Sequence, residues 1–201
     1  MKYLKSFEKL ANEDPFITAA RRGHTNNVKQ RIKKNPTIVN IQDSYGETAL
    51  MYAVLEKFPF VVDELIDGKA DVNIQNNDGI TALFLTTTLT IINKLLNAGA
   101  DVNIKNKEGD TAIMKYAKLM FNPDPETYIN IIELFLEYGL NISIKNNEGK
   151  NLYYILMDKR ENDHHNIKEK FVSDVEKYLN INFPQFKEEY ELNKDIKKFN
   201  I

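Results

Sequence analysis

The chain has no cysteine and no tryptophan, and only three histidines, eight glycines and six prolines in 201 residues. Without cysteine, neither a disulfide framework nor a thiolate metal site can hold the fold, which fits a reducing compartment; the expected location is the cytoplasm. Neither sign of charge dominates: the formal net charge of −2 leaves no global positive field for nucleic acid or an anionic membrane. Long apolar runs are missing as well. Met1 to Leu10 interrupts its apolar residues with charges and offers no segment for classical export or membrane insertion, and no later stretch does so. The glycines never cluster as in a phosphate-cradling loop, and there is no Gly-x-Ser-x-Gly elbow. Asp124, Glu126 and Glu133 read as surface acids rather than a matched acid/base pair. No cofactor, catalytic residue or small-molecule substrate is expected, and the chain does not read as an enzyme.

What the chain does have is an internal repeat. Gly-x-Thr-Ala followed by an apolar pair occurs at Gly46–Met51, Gly79–Phe84 and Gly109–Met114. A second phrase closes each unit, at Ala70–Ile74, Ala100–Ile104 and, in degenerate form, Leu140–Ile144. The first two glycines lie 33 positions apart. Self-similarity at that period marks stacked units that cannot bury their own apolar faces and need neighbours to do so. Within each unit Thr48, Thr81 and Thr111 suit the capping position that opens a helix, and Gly68 and Gly99 suit the left-handed residue that ends one. Asp14-Pro15 is a helix start with proline at the first helical position.

In these phrases the chain resembles ankyrin-repeat proteins, in particular the small single-domain ankyrins of bacterial type. The resemblance implies an all-α repeat solenoid of about five stacked helix–turn–helix units joined by hairpin-like loops. On that frame a single domain covers 1–201: an N-terminal cap at 1–11, repeats at 12–42, 43–76, 77–106, 107–146 and 147–180, and a C-terminal cap or tail at 181–201. The repeat spacing is unequal. Gly79 to Gly109 is 30 positions, which predicts a shortened or distorted inter-helix turn near Thr86-Thr87-Thr88. Gly109 to Gly149 is 40, the excess falling in Phe121–Glu126, whose two prolines and two acids predict a protruding loop. The family's usual Thr-Pro-Leu-His has become Thr-Ala-Leu-Met, Thr-Ala-Leu-Phe and Thr-Ala-Ile-Met, so the histidine that links neighbouring hairpins is absent, and packing is expected to replace it.

His24 follows Gly23 at a helix–helix turn, a structural position in ankyrin repeats. His164-His165 lies in a polar stretch, Asp158 to Asn166, and adjacent histidines point apart, so a solvated loop is expected there and no metal. Function then falls to binding. The resemblance implies a concave surface made of hairpin tips and one face of the first helices, with a protein partner. Carried onto this chain, the tips are Gln42, Ser44, Tyr45 and Glu47; Gln75, Asn77, Asp78 and Ile80; Lys105, Lys107, Glu108 and Asp110; and Lys145 and Lys150 beside Asn147 and Glu148. The first helices contribute Arg21, Arg22, Tyr52, Glu56, Leu85, Lys115 and Lys118. Tyr45, Tyr52 and the arginines are the best anchors by residue type. The expected function is a non-catalytic adaptor or stoichiometric inhibitor, an immunity protein that neutralises a toxin being one form of it. The alternatives are a secreted effector directed at a host, a metal-dependent protein using His164 and His165, and a nucleic-acid reader using the lysine-leaning tips.

Overall fold

A computed structural model describes residues 14–119, 125–162, 166–185 and 187–191. The expected N-terminal cap helix, residues 121–124 of the expected loop, His164-His165, and Phe186, Ile196 and Phe199 of the C-terminal segment lie outside the described residues. The chain divides into two compact units, 1–107 and 108–201.

The first unit is a series of short helices: α1 (Pro15–Arg21), α2 (Thr25–Lys34), a 3-10 turn (Pro36–Asn40), α3 (Ala49–Leu55), α4 (Pro59–Asp67), a second 3-10 turn (Ala82–Leu85) and α5 (Leu89–Asn97). Helix α1 packs on α2 and α3, α3 packs on α4, and the outer helices α2, α4 and α5 follow one another. Asp14 caps α1, its carboxylate accepting from the Phe16 N–H at 2.7 Å, with Pro15 at the first helical position as expected. Thr48 caps α3 by accepting from the Met51 N–H, and the Met51 sulfur accepts in return from the Thr48 N–H, the place a glutamate usually takes. The core consists of the repeat's apolar pairs, Phe16-Ile17, Leu50-Met51 and Leu83-Phe84, against Val28, Val61, Val62, Leu65, Ile91, Ile92 and Leu95 of the outer helices.

The second unit holds α6 (Ala112–Leu119), α7 (Pro125–Glu137), α8 (Leu152–Asn162) and α9 (Asn166–Asn182), followed by a helical turn at 187–191. Helix α6 packs on α8, and α9 packs on both α7 and α8. Tyr116, Tyr128, Phe135 and Tyr153 are fully buried, the ring of Tyr116 tilted against that of Phe135. Burial pushes the hydroxyls of Tyr116 and Tyr128 well above the usual tyrosine range, and that of Tyr128 donates to the Ile113 carbonyl at 3.1 Å. At the far end of this unit Tyr190 is buried edge-on between Tyr153 and Tyr154, and the Tyr154 hydroxyl donates to the Glu189 carbonyl.

The shortening of the third repeat falls in its first helix rather than in the inter-helix turn where it was expected, since the turn at 86–88 is as long as that at 56–58. That helix is reduced to the four residues Ala82–Leu85, followed by the extended Thr86. Two expectations about helix ends are corrected. Of the three repeat threonines only Thr48 caps with its side chain. In the 3-10 turn the Phe84 N–H is already bonded to the Thr81 carbonyl, which removes the donor that the Thr81 hydroxyl would take, and the buried Thr111 hydroxyl has no partner. Gly68 is right-handed (φ −74°), and Lys69 after it is left-handed (φ 70°). Glycine is needed at 68 for space, because a Cβ there would meet Ile32 at 2.9 Å. The polar stretch from Asp158 also differs: α8 continues through Asn162, since Lys159, Arg160 and Glu161 are good helix formers and extend the apolar turn before them.

Candidate protein-binding face

The hairpin tips are built by one side chain each. At the first, Asp43 accepts through one carboxylate oxygen from the N–H groups of Tyr45 (2.8 Å) and Glu47 (2.9 Å), while the Asp43 N–H donates to the Glu47 carbonyl and the Gly46 N–H to the Asp43 carbonyl. Asn76 repeats this pattern with Asp78 and Ile80, and in the second unit Asn146 does so with Glu148 and Lys150. The signal was in the sequence, an Asp or Asn three positions before each tip glycine, which is the residue choice of a type I turn.

Neighbouring tips are stitched together by hydrogen bonds, where packing alone was expected to replace the family's histidine. In the first unit the Asn77 N–H donates to the Tyr45 carbonyl, the Asn77 amide to the Ser44 carbonyl, and the Lys107 N–H to the Asp78 carbonyl. Gln42 donates to the carbonyls of Gly46 and Gln75, and Gln75 in turn to those of Gly79 and Lys105, forming a ladder of side-chain amides. A second ladder runs through the closing phrases, with Asn40 accepting from the Asp71 N–H and Asn73 from the Asp101 N–H. In the second unit the Asn147 N–H donates to the Glu108 carbonyl.

Beside the first tip, Asp43 also reaches the inner helix. Its other oxygen accepts from the Tyr52 hydroxyl at 2.8 Å, and the Arg21 guanidinium lies 5.5 Å from the Tyr52 ring centroid. A cation over an aromatic face contributes about 0.5–1 kcal/mol where exposed. Tyr52 is therefore held from its edge and its face while remaining half-exposed, and Tyr45 at the tip is 51% exposed. The arrangement offers two aromatic anchors, one of them pre-positioned, with cationic and anionic groups beside them.

The other predicted positions differ in what they leave available. Arg22, Glu56, Asn77, Asp78, Lys105 and Lys107 have exposed side chains, and Leu85 and Ile80 are half-buried. The side chains of Gln42 and Gln75 are engaged in the ladder, and Glu47 accepts from the Asn76 amide. In the second unit Tyr45's counterpart Glu108 is exposed and Lys115 half-buried. Asp110 is only 1% exposed, paired with Lys118 at 2.6 Å and accepting from Asn146 at 2.9 Å, so both its oxygens are engaged inside the unit. Lys145 pairs with Glu189, whose hydrogen bond raises the lysine pKa, and Lys150 pairs with Glu148 at 3.0 Å. Sequence reasoning missed Leu55, 51% exposed one turn beyond Tyr52, and Phe60, 75% exposed. Among the described residues no three His, Asp or Glu side chains converge as metal ligands, and no helix is long and apolar enough to cross a membrane.

Helix pairs, glycine-closed tips and a ladder of inter-tip hydrogen bonds define an all-α repeat solenoid. A family model described as ankyrin repeats, in three copies, matches residues 1–76, and that part of the chain is similar to ankyrin-repeat proteins. Ankyrin repeats are generally protein–protein interaction modules. No curated protein matches the chain significantly.

Proposed function

We propose that the chain is a non-catalytic binding protein, an adaptor or stoichiometric inhibitor, that holds a protein partner on the tips and inner helices of its first unit. Neutralisation of a toxin is one form such inhibition takes. The observation that carries this reading is the Arg21–Tyr52–Asp43 arrangement beside the exposed Tyr45. Aromatic and arginine side chains dominate interface energies, and a tyrosine already held in place loses less freedom on binding. The tips and α1 and α3 are fixed by hydrogen bonds and packing, so a partner meets a preformed surface.

The test is affinity capture from the native source with the parent chain beside a Tyr45→Ala/Tyr52→Ala variant, followed by mass spectrometry and a titration of the captured protein. One protein retained by the parent and bound at least about tenfold more weakly by the variant is the expected result, since each anchor is worth on the order of 1 kcal/mol or more. Equal binding to both, with helicity unchanged, would remove the first-unit face from the reading.

A further inference from the structure

The helix–helix turns of the first two repeats form a second surface at the opposite end of the helices from the tips. The first turn reads Arg21-Arg22-Gly23-His24 and the second Leu55-Glu56-Lys57-Phe58-Pro59-Phe60. The two are in contact: a Cβ on Gly23 would lie 3.0 Å from the Phe58 ring. The second turn exposes two large apolar side chains within six residues, Leu55 at 51% and Phe60 at 75%. Neither Arg22 nor Lys57 forms an ion pair among the described residues, although each is exposed, and Glu56 is the single acid in the two turns. The patch is thus locally cationic on a chain whose net charge is −2. Its third-repeat neighbour, Thr86-Thr87-Thr88, carries no charge.

We infer that this turn patch docks an acidic segment of a partner protein, one that sets aspartate or glutamate against Arg22 and Lys57 and an apolar side chain against Leu55 and Phe60. The inference deepens the binding reading above and rests on it. A nucleic acid or other polyanion would engage the cations but gain little from covering Leu55 and Phe60, and a purely apolar partner would strand two unpaired cations at its edge. Only a segment carrying both chemistries satisfies the whole patch, with electrostatic complementarity setting specificity and association rate.

The test pans the full chain against a random peptide library displayed on phage, beside an Arg22→Glu/Lys57→Glu variant and a Leu55→Ser/Phe60→Ser variant. All four positions are exposed, and circular dichroism checks that the variants fold. The expected result is enrichment of peptides pairing Asp or Glu with Leu, Phe or Trp. Their synthetic copies bind either variant about tenfold or more weakly and weaken as salt rises. The inference is overturned if nothing is enriched, if the enriched peptides lack acids, or if they bind both variants as tightly as the parent. Polyuridylate binding that the charge reversal abolishes and the serine variant keeps would also overturn it and assign the patch to polyanions. Peptides lost with Tyr45→Ala/Tyr52→Ala but kept by both turn variants would overturn the turn patch and leave the binding reading standing.

Discussion

Replacing Gly46 by alanine isolates what the inter-tip approach contributes to the first unit. Gly46 is left-handed (φ 74°), and a Cβ there would lie 2.7 Å from the Asn77 nitrogen and 3.0 Å from the Asn76 Cα. Both are backbone atoms, so relief requires the two tips to part. Left-handed backbone costs a residue with a Cβ about 1–2 kcal/mol, of which the lower entropy of the unfolded alanine chain returns roughly 0.4–1. Parting the tips also strains the hydrogen bonds from Asn77 to the Tyr45 and Ser44 carbonyls, worth about 1 kcal/mol each. Gly46→Ala should therefore cost about 3 kcal/mol. Gly99 is the control in the same unit: it too is left-handed (φ 90°), but a Cβ there meets nothing within 4 Å, so Gly99→Ala should cost only about 1 kcal/mol. Urea unfolding followed by circular dichroism gives both values. Equal costs would refute the claim that tip-to-tip proximity, beyond backbone conformation, fixes glycine at position 46.

Two further outcomes follow from helix ends and from buried tyrosines. Lys57 holds φ 60° at the turn where the first repeat has Gly23 (φ 73°), so Lys57→Gly should stabilise the chain by about 0.5–1 kcal/mol in the same urea experiment; any loss of stability would show that the lysine side chain offsets its strained backbone. In the second unit, burial raises the folded pKa values of Tyr116 and Tyr128, while in the unfolded chain both titrate near 10. Below that pH neither state loses a proton and stability is unaffected. Above it the unfolded state binds fewer protons, so stability falls by up to about 1.4 kcal/mol per pH unit for each tyrosine. Tyrosinate absorbance from these two residues should accordingly rise only together with loss of helicity, and the sensitivity should diminish in Tyr116→Phe. Titration of all ten tyrosines near pH 10 with helicity intact would refute it.

The repeat was legible because its glycines and apolar pairs serve needs that recur in every unit: a left-handed tip, and a buried pair against the next helices. The shortening of the third repeat was legible for the same reason, but its place was not, since the three missing residues come out of the first helix before Thr86 and leave the turn at 86–88 at its ordinary length. Local competition was harder to read. Thr81 looks like Thr48, yet its capping role disappears because a one-turn 3-10 helix already uses the donor it would satisfy. Gly68 looks like Gly99, yet one is kept for contact with Ile32 and the other for backbone sign.

The candidate site was legible by residue type and illegible by availability, and the difference is one of burial. Asp43 and Asp110 occupy the chain near equivalent tips and carry the same charge. Asp43 faces outward enough to organise a tip and hold Tyr52, whereas Asp110 is buried and engaged by Lys118 and Asn146. A buried carboxylate must be paired, and the lysine that pairs it is drawn into the same interaction. Two positions that the pattern assigns to the surface thus compensate one another inside the second unit. The exposed Tyr45 and the held Tyr52 are the pair in which residue type and accessibility agree, which is why recognition is best sought there.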